Sequence, residues 1–548
     1  MTRIHYPKAP SIYFNKRMTK IYRPLSVILI SFSLFGLLVR ASGATPSPDQ
    51  TIHIGNGADP QSLDPHIPIG LPEFAIVSEL FDGLMSIDSH GKLIPNLATD
   101  FPKVSKDGRV YTFTLRKNVK WSDGKPLTAK DFVYSWQRLA NPKTASPYAQ
   151  FSHYISNGKL INEGKVKDLT KLGVEALSTD ILKVTLEKPT AFFNQLLAVY
   201  AMYAVPQHAI EKFGDRWTRP GQMVSSGPFV LSEWKIHDRV ILLKNQNYWD
   251  KENVKLEKVV YYPIENRSTE EKMFRVNQLH VTAGVPLEKA MFWKRGKKVL
   301  FSDPDLATTY ITINVNRAPL NNVHLRRALA LAIDREKLSQ SVVHGLWRLG
   351  TSVVPPGTAN FKSPVSLPDT ANAEEARKEL ALAGYPEGKG LRSLEYCFDN
   401  DPVERKIAQS LQYMWKKNLG IEVTLYNQEL KGHVTKLQSR DYDLGRSSWF
   451  ADYNDANTFL ELWRKSNPNN EAGWVNSQYE SLLDSADSEI DPTKRREFLQ
   501  KAEGILMTEL PVIPMMYKAR AYLKRDSVIG WEPNFLGWHR LKYVRLTN

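Results

Sequence analysis

The sequence at residues 111–148, YTFTLRKNVKWSDGKPLTAKDFVYSWQRLANPKTASPY, places two kinds of hydrophobic spacing one after the other. Its first five positions, 111–115, alternate large apolar side chains with threonines, which is typical of a strand with one buried face. Thr128 and Asp131 then have the spacing of a helix capping box. The apolar face of the helix that follows consists of Phe132, Val133, Trp136 and Leu139. A strand followed by an amphipathic helix predicts a fold that contains both kinds of element.

The same two patterns recur on both sides of this stretch. Residues 182–186 alternate as a second strand, and residues 325–333 have apolar side chains at helical spacing. Two further helices are predicted with start and stop signals at 372–384 and 401–420, each ending at a glycine. A strand at 421–425 follows the second of these helices directly. The sequence therefore predicts a mixed α/β protein with several domains.

Length and composition set broad limits on the class of protein. A chain of 548 residues exceeds what one hydrophobic core usually organises, so two to four domains are expected. Apolar residues make up 42% and charged residues 24%, which excludes a disordered or collagen-like chain. Cys397 is the single cysteine, so an internal disulfide and a cysteine-rich metal site are excluded.

The first 44 residues have the pattern of an export signal. They contain seven Lys or Arg residues and no acid. Six of these basic residues precede a charge-free apolar run at 26–39, and the small residues of 41–44 follow the run. We expect cleavage near Ala44, and the translated protein begins at Met1 or Met18. A membrane anchor is the alternative, but the run is shorter than the roughly 20 residues that span a bilayer. No cysteine lies near the site for lipid attachment, so we expect a periplasmic protein.

The remaining charge gives little reason to expect nucleic acid as a partner. Without residues 1–44 the net charge falls from +15 to +8, and so mild an excess is weak evidence, since nucleic-acid binding normally needs a concentrated basic stripe. Catalytic signatures are also missing: there is no H-E-x-x-H pair and no G-x-S-x-G elbow. The glycines of 384–390 resemble a phosphate loop only weakly, and a helix stop with a turn explains them better. No catalytic residue, cofactor or metal site is predicted.

Several segments together resemble one family, the periplasmic oligopeptide-binding proteins, which are the family 5 solute receptors of peptide ABC importers. The residues that carry the resemblance are the quoted block at 111–148 and the segments 61–66 (QSLDPH), 209–214 (AIEKFG), 321–328 (NNVHLRRA) and 449–454 (WFADYN). They occur in the family's order and cover nearly the whole chain after residue 44.

The resemblance implies a three-lobed fold with two α/β lobes that close on a ligand by a hinge, plus an inserted lobe. By the matching segments, lobe I would comprise residues 45–82, 208–306 and 520–548. Lobe II would comprise 83–207 and lobe III 307–519.

The resemblance also implies a binding site for the groups that all peptides share. Asp452 matches the acid that binds the peptide ammonium, although an aspartate here could instead cap a helix at 455–462. Arg446 matches an arginine that binds the carboxylate of a tripeptide, since a guanidinium forms paired hydrogen bonds with it. The alternative for Arg446 is a surface ion pair with Asp441 or Asp443.

Five more positions follow from the same match. Trp449 and Tyr148 match aromatic residues that pack around the ligand, and either could be ordinary core. Ser448 and Phe450 match the strand whose main chain pairs with an extended peptide. Leu71 matches a segment that faces this strand.

The chain departs from the family at Glu404, where the peptide receptors have a histidine for the carboxylates of longer ligands. An uncompensated glutamate would repel a carboxylate. We therefore expect either a preference for tripeptides over tetrapeptides or a ligand with a distal amine, such as murein tripeptide.

Other family positions are changed as well. A pocket tryptophan is replaced by Leu430 and a pocket glutamate by Ile69, while a lysine for dipeptide carboxylates has no match near His344. The family's disulfide positions align with Ala307 and Phe450, so that bridge is absent. Cys397 is then expected to be an unpaired thiol buried in a strand.

The first functional hypothesis is a receptor, not an enzyme, that captures short peptides for an inner-membrane ABC permease complex and acts as a monomer without nucleic acid. The second keeps the fold but changes the ligand to murein tripeptide, haem or a nickel complex. A secreted enzyme or a chaperone is the third.

Overall fold

A computed structural model describes residues 49–67, 70–295, 299–359 and 361–548, which belong to one compact unit. The predicted export signal and the predicted pocket position Ile69 lie outside these residues. Within them, no helix is long and apolar enough to cross a membrane.

The strands are numbered in chain order. They are β1 Thr51–Gly55, β2 Met85–Ile87, β3 Leu93–Pro95, β4 Lys103–Val104, β5 Val110–Thr114, β6 Val174–Ala176, β7 Ile181–Thr185, β8 Phe229–Lys235, β9 Arg239–Lys244, β10 Lys258–Tyr262, β11 Leu300–Ile313, β12 Arg348–Leu349, β13 Leu394–Asp399, β14 Val423–Gln428, β15 Leu444–Phe450, β16 Val512–Leu523, β17 Val528–Ile529 and β18 Arg545–Leu546.

The α-helices are numbered in the same way. They are α1 Leu71–Leu80, α2 Ala129–Ala140, α3 Gly158–Asn162, α4 Phe193–Leu196, α5 Gln207–Phe213, α6 Arg267–Arg275, α7 Leu287–Arg295, α8 Val323–Leu331, α9 Arg335–Val342, α10 Ala373–Leu382, α11 Pro402–Leu419, α12 Leu430–Gln438, α13 Asn457–Leu460, α14 Ser477–Ser488 and α15 Pro492–Glu509.

Local sequence signals explain where several of these elements begin and end. The Asp131 carboxylate accepts a hydrogen bond from the Thr128 amide at 2.7 Å, which closes the predicted capping box of α2. Asp401 caps the first turn of α11, and Gly420 ends that helix in the left-handed conformation. The strand that follows α11 begins at Val423, two residues later than the alternation at Ile421 predicted.

Three larger sheets organise the molecule, and they confirm the predicted mixed α/β class. Strands β1, β10, β9 and β8 form one sheet in that order, and β4, β5, β7 and β6 form another. The largest has the order β12-β16-β11-β15-β13-β14 and combines antiparallel pairs with parallel β13 neighbours. The boundaries of the three predicted lobes stay a prediction.

The long strands β11 and β16 carry a change of register in the largest sheet. Pro304 is opposite Ala519 and Thr308 is opposite Tyr517, so β11 contains two extra residues between these pairs. A local insertion of this kind bends a strand and increases its twist. The residues of this bulge lie at the candidate site described below.

Two large hydrophobic cores lie around these sheets. The first includes buried side chains from the predicted stretch, among them Phe113, Trp121 and Trp136. The second covers the largest sheet with α8, α11, α14 and α15 and includes Trp415 and Trp463. The helical face predicted at 132–139 is therefore a core face, as its spacing indicates.

Candidate functional site

A cavity of about 370 Å³ lies where β15 ends beside the bulge of β11. Four predicted site residues line it together: Leu71, Tyr148, Phe450 and Asp452. Its other lining residues are Gly70, Phe74, Phe151, Val199, Tyr200, Asp305, Leu306, Ala451, Arg520, Phe535, Leu536 and Trp538. The structure thus brings residues from seven separate parts of the chain to one concave surface.

Asp452 presents a carboxylate to this cavity without a partner of opposite charge among the described residues. The main-chain amide of Asp452 donates to Thr458 Oγ1 at 3.2 Å, which leaves the carboxylate uninvolved in that hydrogen bond. Desolvation by the surrounding protein raises the pKa of Asp452 to about 6. The helix-cap alternative for Asp452 is wrong, because the nearby helix is α13 and its N-cap residue is Ala456. A desolvated, unpaired carboxylate is suited to binding a cationic group.

The last part of β15 has a free main-chain edge. Strand β13 pairs with β15 only at Leu444 and Gly445, while β11 pairs with the opposite edge along the whole strand. The Ala451 amide donates to the Leu306 carbonyl at 2.8 Å, so the main-chain groups of Ala451 point toward β11. Successive residues of an antiparallel strand direct their N–H and C=O groups to opposite edges, so those of Ser448 and Phe450 point away from β11. No described strand covers them there. This edge can accept another extended chain.

Arg446 lies on the same strand but is already paired. Its Nη1 is 3.1 Å from Asp399 Oδ2, and its Nη2 is 2.9 Å from Glu404 Oε1. Burial lowers the pKa of Arg446, but the two carboxylates outweigh burial and raise it above its usual value. The alternative pairing with Asp441 or Asp443 is wrong.

Glu404 is therefore not the uncompensated charge that the sequence led us to expect. Its position in the first turn of α11, beside the end of β13, brings it to Arg446 across the sheet. Its Oε1 accepts from Arg446, whereas Oε2 is buried and has no hydrogen-bond partner among the described residues. Glu404 thus lies in an ionic cluster with Arg446 and Asp399, and its effect on a ligand carboxylate depends on all three charges.

The two predicted aromatic positions have different surroundings. Tyr148 lines the cavity, and its hydroxyl is 2.8 Å from that of Tyr200. Trp449 is half-buried against the core of the largest sheet and does not line the cavity. The alternative that Trp449 belongs to the core is the one that its contacts favour.

A second cavity of about 390 Å³ adjoins the first and shares Leu71, Phe74, Arg520 and Trp538 with it. Its aromatic lining is Phe74, Tyr261, Tyr522, Trp531 and Trp538. None of these residues was predicted from the sequence to belong to the site. The aromatic-rich segment at 531–538 (WEPNFLGW) was a signal that could have indicated them.

The changed family positions are also located by the structure. Leu430 is exposed at the start of α12, and His344 is half-buried after α9. Ala307 and Phe450 are opposite each other on β11 and β15. Cys397 is a buried free thiol on β13, as expected, and desolvation raises its pKa to about 12.

Three charged residues beside the cavity were not predicted. Arg520 Nε is 2.8 Å from Asp305 Oδ1, and both line the cavity. The Lys518 ammonium lies 5.2 Å from the centroid of the Phe450 ring. The strand patterns of 300–313 and 512–523 carried no signal that distinguished these charges from those of a solvated surface.

Comparison with known proteins identifies relatives of the whole molecule. The model of the bacterial extracellular solute-binding proteins, family 5, matches residues 92–471. The periplasmic oligopeptide-binding protein OppA of Salmonella typhimurium is 36% identical over 522 residues, covering 92% of this chain and 95% of the relative. The unliganded open form of the murein tripeptide binding protein MppA superposes with a TM-score of 0.82 at 32% identity, covering 91% and 98% of the two chains. Haemophilus influenzae OppA in complex with the peptide RPPGFSPFR gives a TM-score of 0.73 at 31% identity, with 91% and 99% covered.

Proposed function

Because the chain belongs to family 5 of the bacterial extracellular solute-binding proteins, we propose that it captures short peptides outside the cytoplasmic membrane and delivers them to an ABC importer. Family members are solute receptors, and the relative from Salmonella typhimurium is named as a periplasmic oligopeptide-binding protein. The role of this chain is then retention and delivery of a ligand, without a chemical reaction.

The observation that carries the proposal is the unpartnered carboxylate of Asp452 beside the free edge of β15. A peptide presents an ammonium at one end and a row of amide and carbonyl groups along its length. Asp452 supplies the charge that the ammonium needs, and the outward main-chain groups of Ser448 and Phe450 supply hydrogen-bond partners for the backbone. Both features recognise what all peptides share, while the cavities leave space for different side chains.

The test is isothermal titration of tri-alanine against the wild type and Asp452→Asn. We expect the variant to lose at least about thirtyfold in affinity, because truncating one partner of a buried charge pair costs about 2–5 kcal/mol. Asp441→Asn is the matched control, since that carboxylate is exposed. Equal affinities of Asp452→Asn and the wild type would contradict the proposal.

A second candidate ligand is a tripeptide with a distal amine, such as murein tripeptide. Asp399 and Glu404 place two carboxylates around the single guanidinium of Arg446, and Glu404 Oε2 has no hydrogen-bond partner among the described residues. A ligand ammonium at this cluster would find an acceptor there. Competition between tri-alanine and murein tripeptide in the same titration decides between them: preferential binding of murein tripeptide that is lost in Glu404→Gln favours the second candidate.

The remaining parts of the proposal concern location and partners. We infer export by a signal that is cleaved near Ala44, an inner-membrane permease as the partner, and a monomeric state. N-terminal sequencing of the mature protein tests the cleavage site. Light scattering of the purified protein tests the monomeric state, and a species of twice the monomer mass would contradict it.

A further inference from the structure

Lys518 on β16 carries a positive charge that no described residue neutralises by direct contact. Its ammonium lies 5.2 Å from the centroid of the Phe450 ring and 5.4 Å from that of Trp347. No described oxygen is within hydrogen-bond distance of it, although an ammonium has three N–H groups to donate. The rings stabilise the charge but leave its hydrogen bonds unmade.

The position of Lys518 places this charge at the candidate site. Side chains two residues apart on a strand share a face, so Lys518 lies on the same face of β16 as Arg520, which lines the cavity. Its other neighbour, Phe450, lines the cavity as well. Asp305, a third lining residue, is close enough for the charge of Lys518 to act on its carboxyl group.

Lys518 also lies close to the ionic cluster of Arg446. Burial and the positive charge of Arg446 lower the pKa of Lys518, and Glu404 and Asp399 oppose that effect. Arg446 itself contacts both carboxylates directly. The cluster therefore contains one cation that is paired and one that is not.

We propose that Lys518 binds the C-terminal carboxylate of a short peptide whose ammonium lies on Asp452, while Arg446 stays paired with Glu404 and Asp399. This rests on the proposed function. Phe450, whose ring centroid lies 5.2 Å from the Lys518 ammonium, is two residues from Asp452 in the chain, and both residues line the same cavity. The two charges are therefore available to one short ligand in that cavity. The carboxylate would accept hydrogen bonds that the Lys518 ammonium otherwise lacks.

A chemical double-mutant cycle tests this assignment. Tri-alanine and its C-terminal amide are titrated into the wild type and into Lys518→Met, which keeps an unbranched side chain one atom shorter and removes its charge. We expect amidation to weaken binding to the wild type at least about tenfold and to change binding to Lys518→Met less than about twofold. Lys518→Arg should restore the discrimination, because it restores the charge. Lys436→Met is the matched control: that lysine also lies over an aromatic ring, Tyr426, but it is paired with Glu395.

Each outcome decides the assignment. If Lys518→Met still discriminates tri-alanine from its amide at least tenfold, Lys518 does not bind the carboxylate. If the variant instead loses affinity equally for the acid and the amide, its role is in packing and the proposal is wrong. If tri-alanine binds neither the wild type nor any variant, or if Asp452→Asn is without effect, the proposed function fails and the role of Lys518 fails with it. If Asp452→Asn weakens binding as expected but Lys518→Met does not change the discrimination between tri-alanine and its amide, the proposed function stands and only this inference is overturned.

Discussion

Arg446 and Glu404 are 42 residues apart in the chain, and their side chains meet at 2.9 Å in a cluster where they are 13% and 3% exposed. Glu404 thus contacts the guanidinium of Arg446, which the family resemblance assigned to a ligand carboxylate. A ligand that used Arg446 would have to compete with Glu404 for it, at a cost in affinity.

Glu404→Gln should strengthen tri-alanine binding by about three- to tenfold, because it removes a negative charge near the Lys518 ammonium, to which we assign the ligand carboxylate. Titration calorimetry with tri-alanine and its amide measures the change, with Glu374→Gln, at an exposed position of α10, as the control. A gain of equal size for the amide would show that the carboxylate is not involved.

Peptide affinity should decrease as the pH falls through 6. The free protein holds a carboxyl group at Asp452 with a pKa of about 6, and a bound ammonium would lower that pKa, so protonation opposes binding. The loss should approach tenfold per pH unit below about pH 6, with no change from Asp452 above about pH 7.

The neighbouring Glu461, whose pKa is raised to about 7 by desolvation and by Asp452, is the group to exclude as the cause. Titration of Glu461→Gln should retain the pH dependence, and titration of Asp452→Asn should lose it. A pH dependence of affinity that is lost in Glu461→Gln and retained in Asp452→Asn would contradict the assignment of this dependence to Asp452.

The loss of binding affinity caused by N-methylation of single peptide amides should alternate from one amide to the next. Successive amides of an extended chain point to opposite sides, so only one of the two amides in tri-alanine can meet the free edge of β15. N-methylation of that amide should weaken binding by about tenfold, and methylation of the other by much less. Equal losses at both positions would argue against strand addition.

Arg335→Met should destabilise the protein by about 3 kcal/mol, since buried carbonyl groups would lose their donor. Arg335 is fully buried and donates to the carbonyl oxygens of Ala330, Gly350, Pro368 and Pro514. Thermal unfolding measures the effect, with Arg327→Met as a control because Arg327 donates near the surface to Thr508. Equal melting temperatures for the two variants would contradict the prediction.

The Cys397 thiol should not react with a disulfide reagent at pH 8 until the protein is unfolded. Its pKa is raised to about 12 by burial, so the reactive thiolate is scarce in the folded state. Spectrophotometric titration before and after addition of guanidinium chloride should show one reactive thiol appearing only on unfolding. Rapid labelling of the native protein would contradict the buried placement.

The sequence predicted elements whose signals are local. Two examples are the capping box of Thr128 and Asp131 and the helix stop at Gly420. Both depend on neighbours within a few residues, so the spacing in the sequence was sufficient to predict these helix ends. The resemblance placed Asp452, Tyr148 and Leu71 on what proved to be one cavity. The pairing of Arg446 with Glu404 could not be predicted in the same way, because it depends on how β13, α11 and β15 are placed together.

The same reason explains why Lys518 and Asp305 were missed. A lysine in an alternating strand has the pattern of an ordinary solvated side chain, and only the arrangement of β11, β15 and β16 brings it to the ring of Phe450 beside the cavity. Aromatic residues at 531–538 had a visible compositional signal, but composition does not say which cavity a segment lines.

The two extra residues of β11 between Pro304 and Thr308 have a consequence for how this gene can vary in length. Side chains alternate between the two faces of a strand. Deleting one residue of this segment would therefore turn inward-facing side chains outward, and outward-facing ones inward, in the part of β11 on one side of the deletion. Asp305 and Leu306, which now line the cavity, would be displaced or reversed, and the partners of β15 and β16 would shift together. Homologues of this chain should therefore accept amino-acid replacements in this segment far more readily than single-codon insertions or deletions.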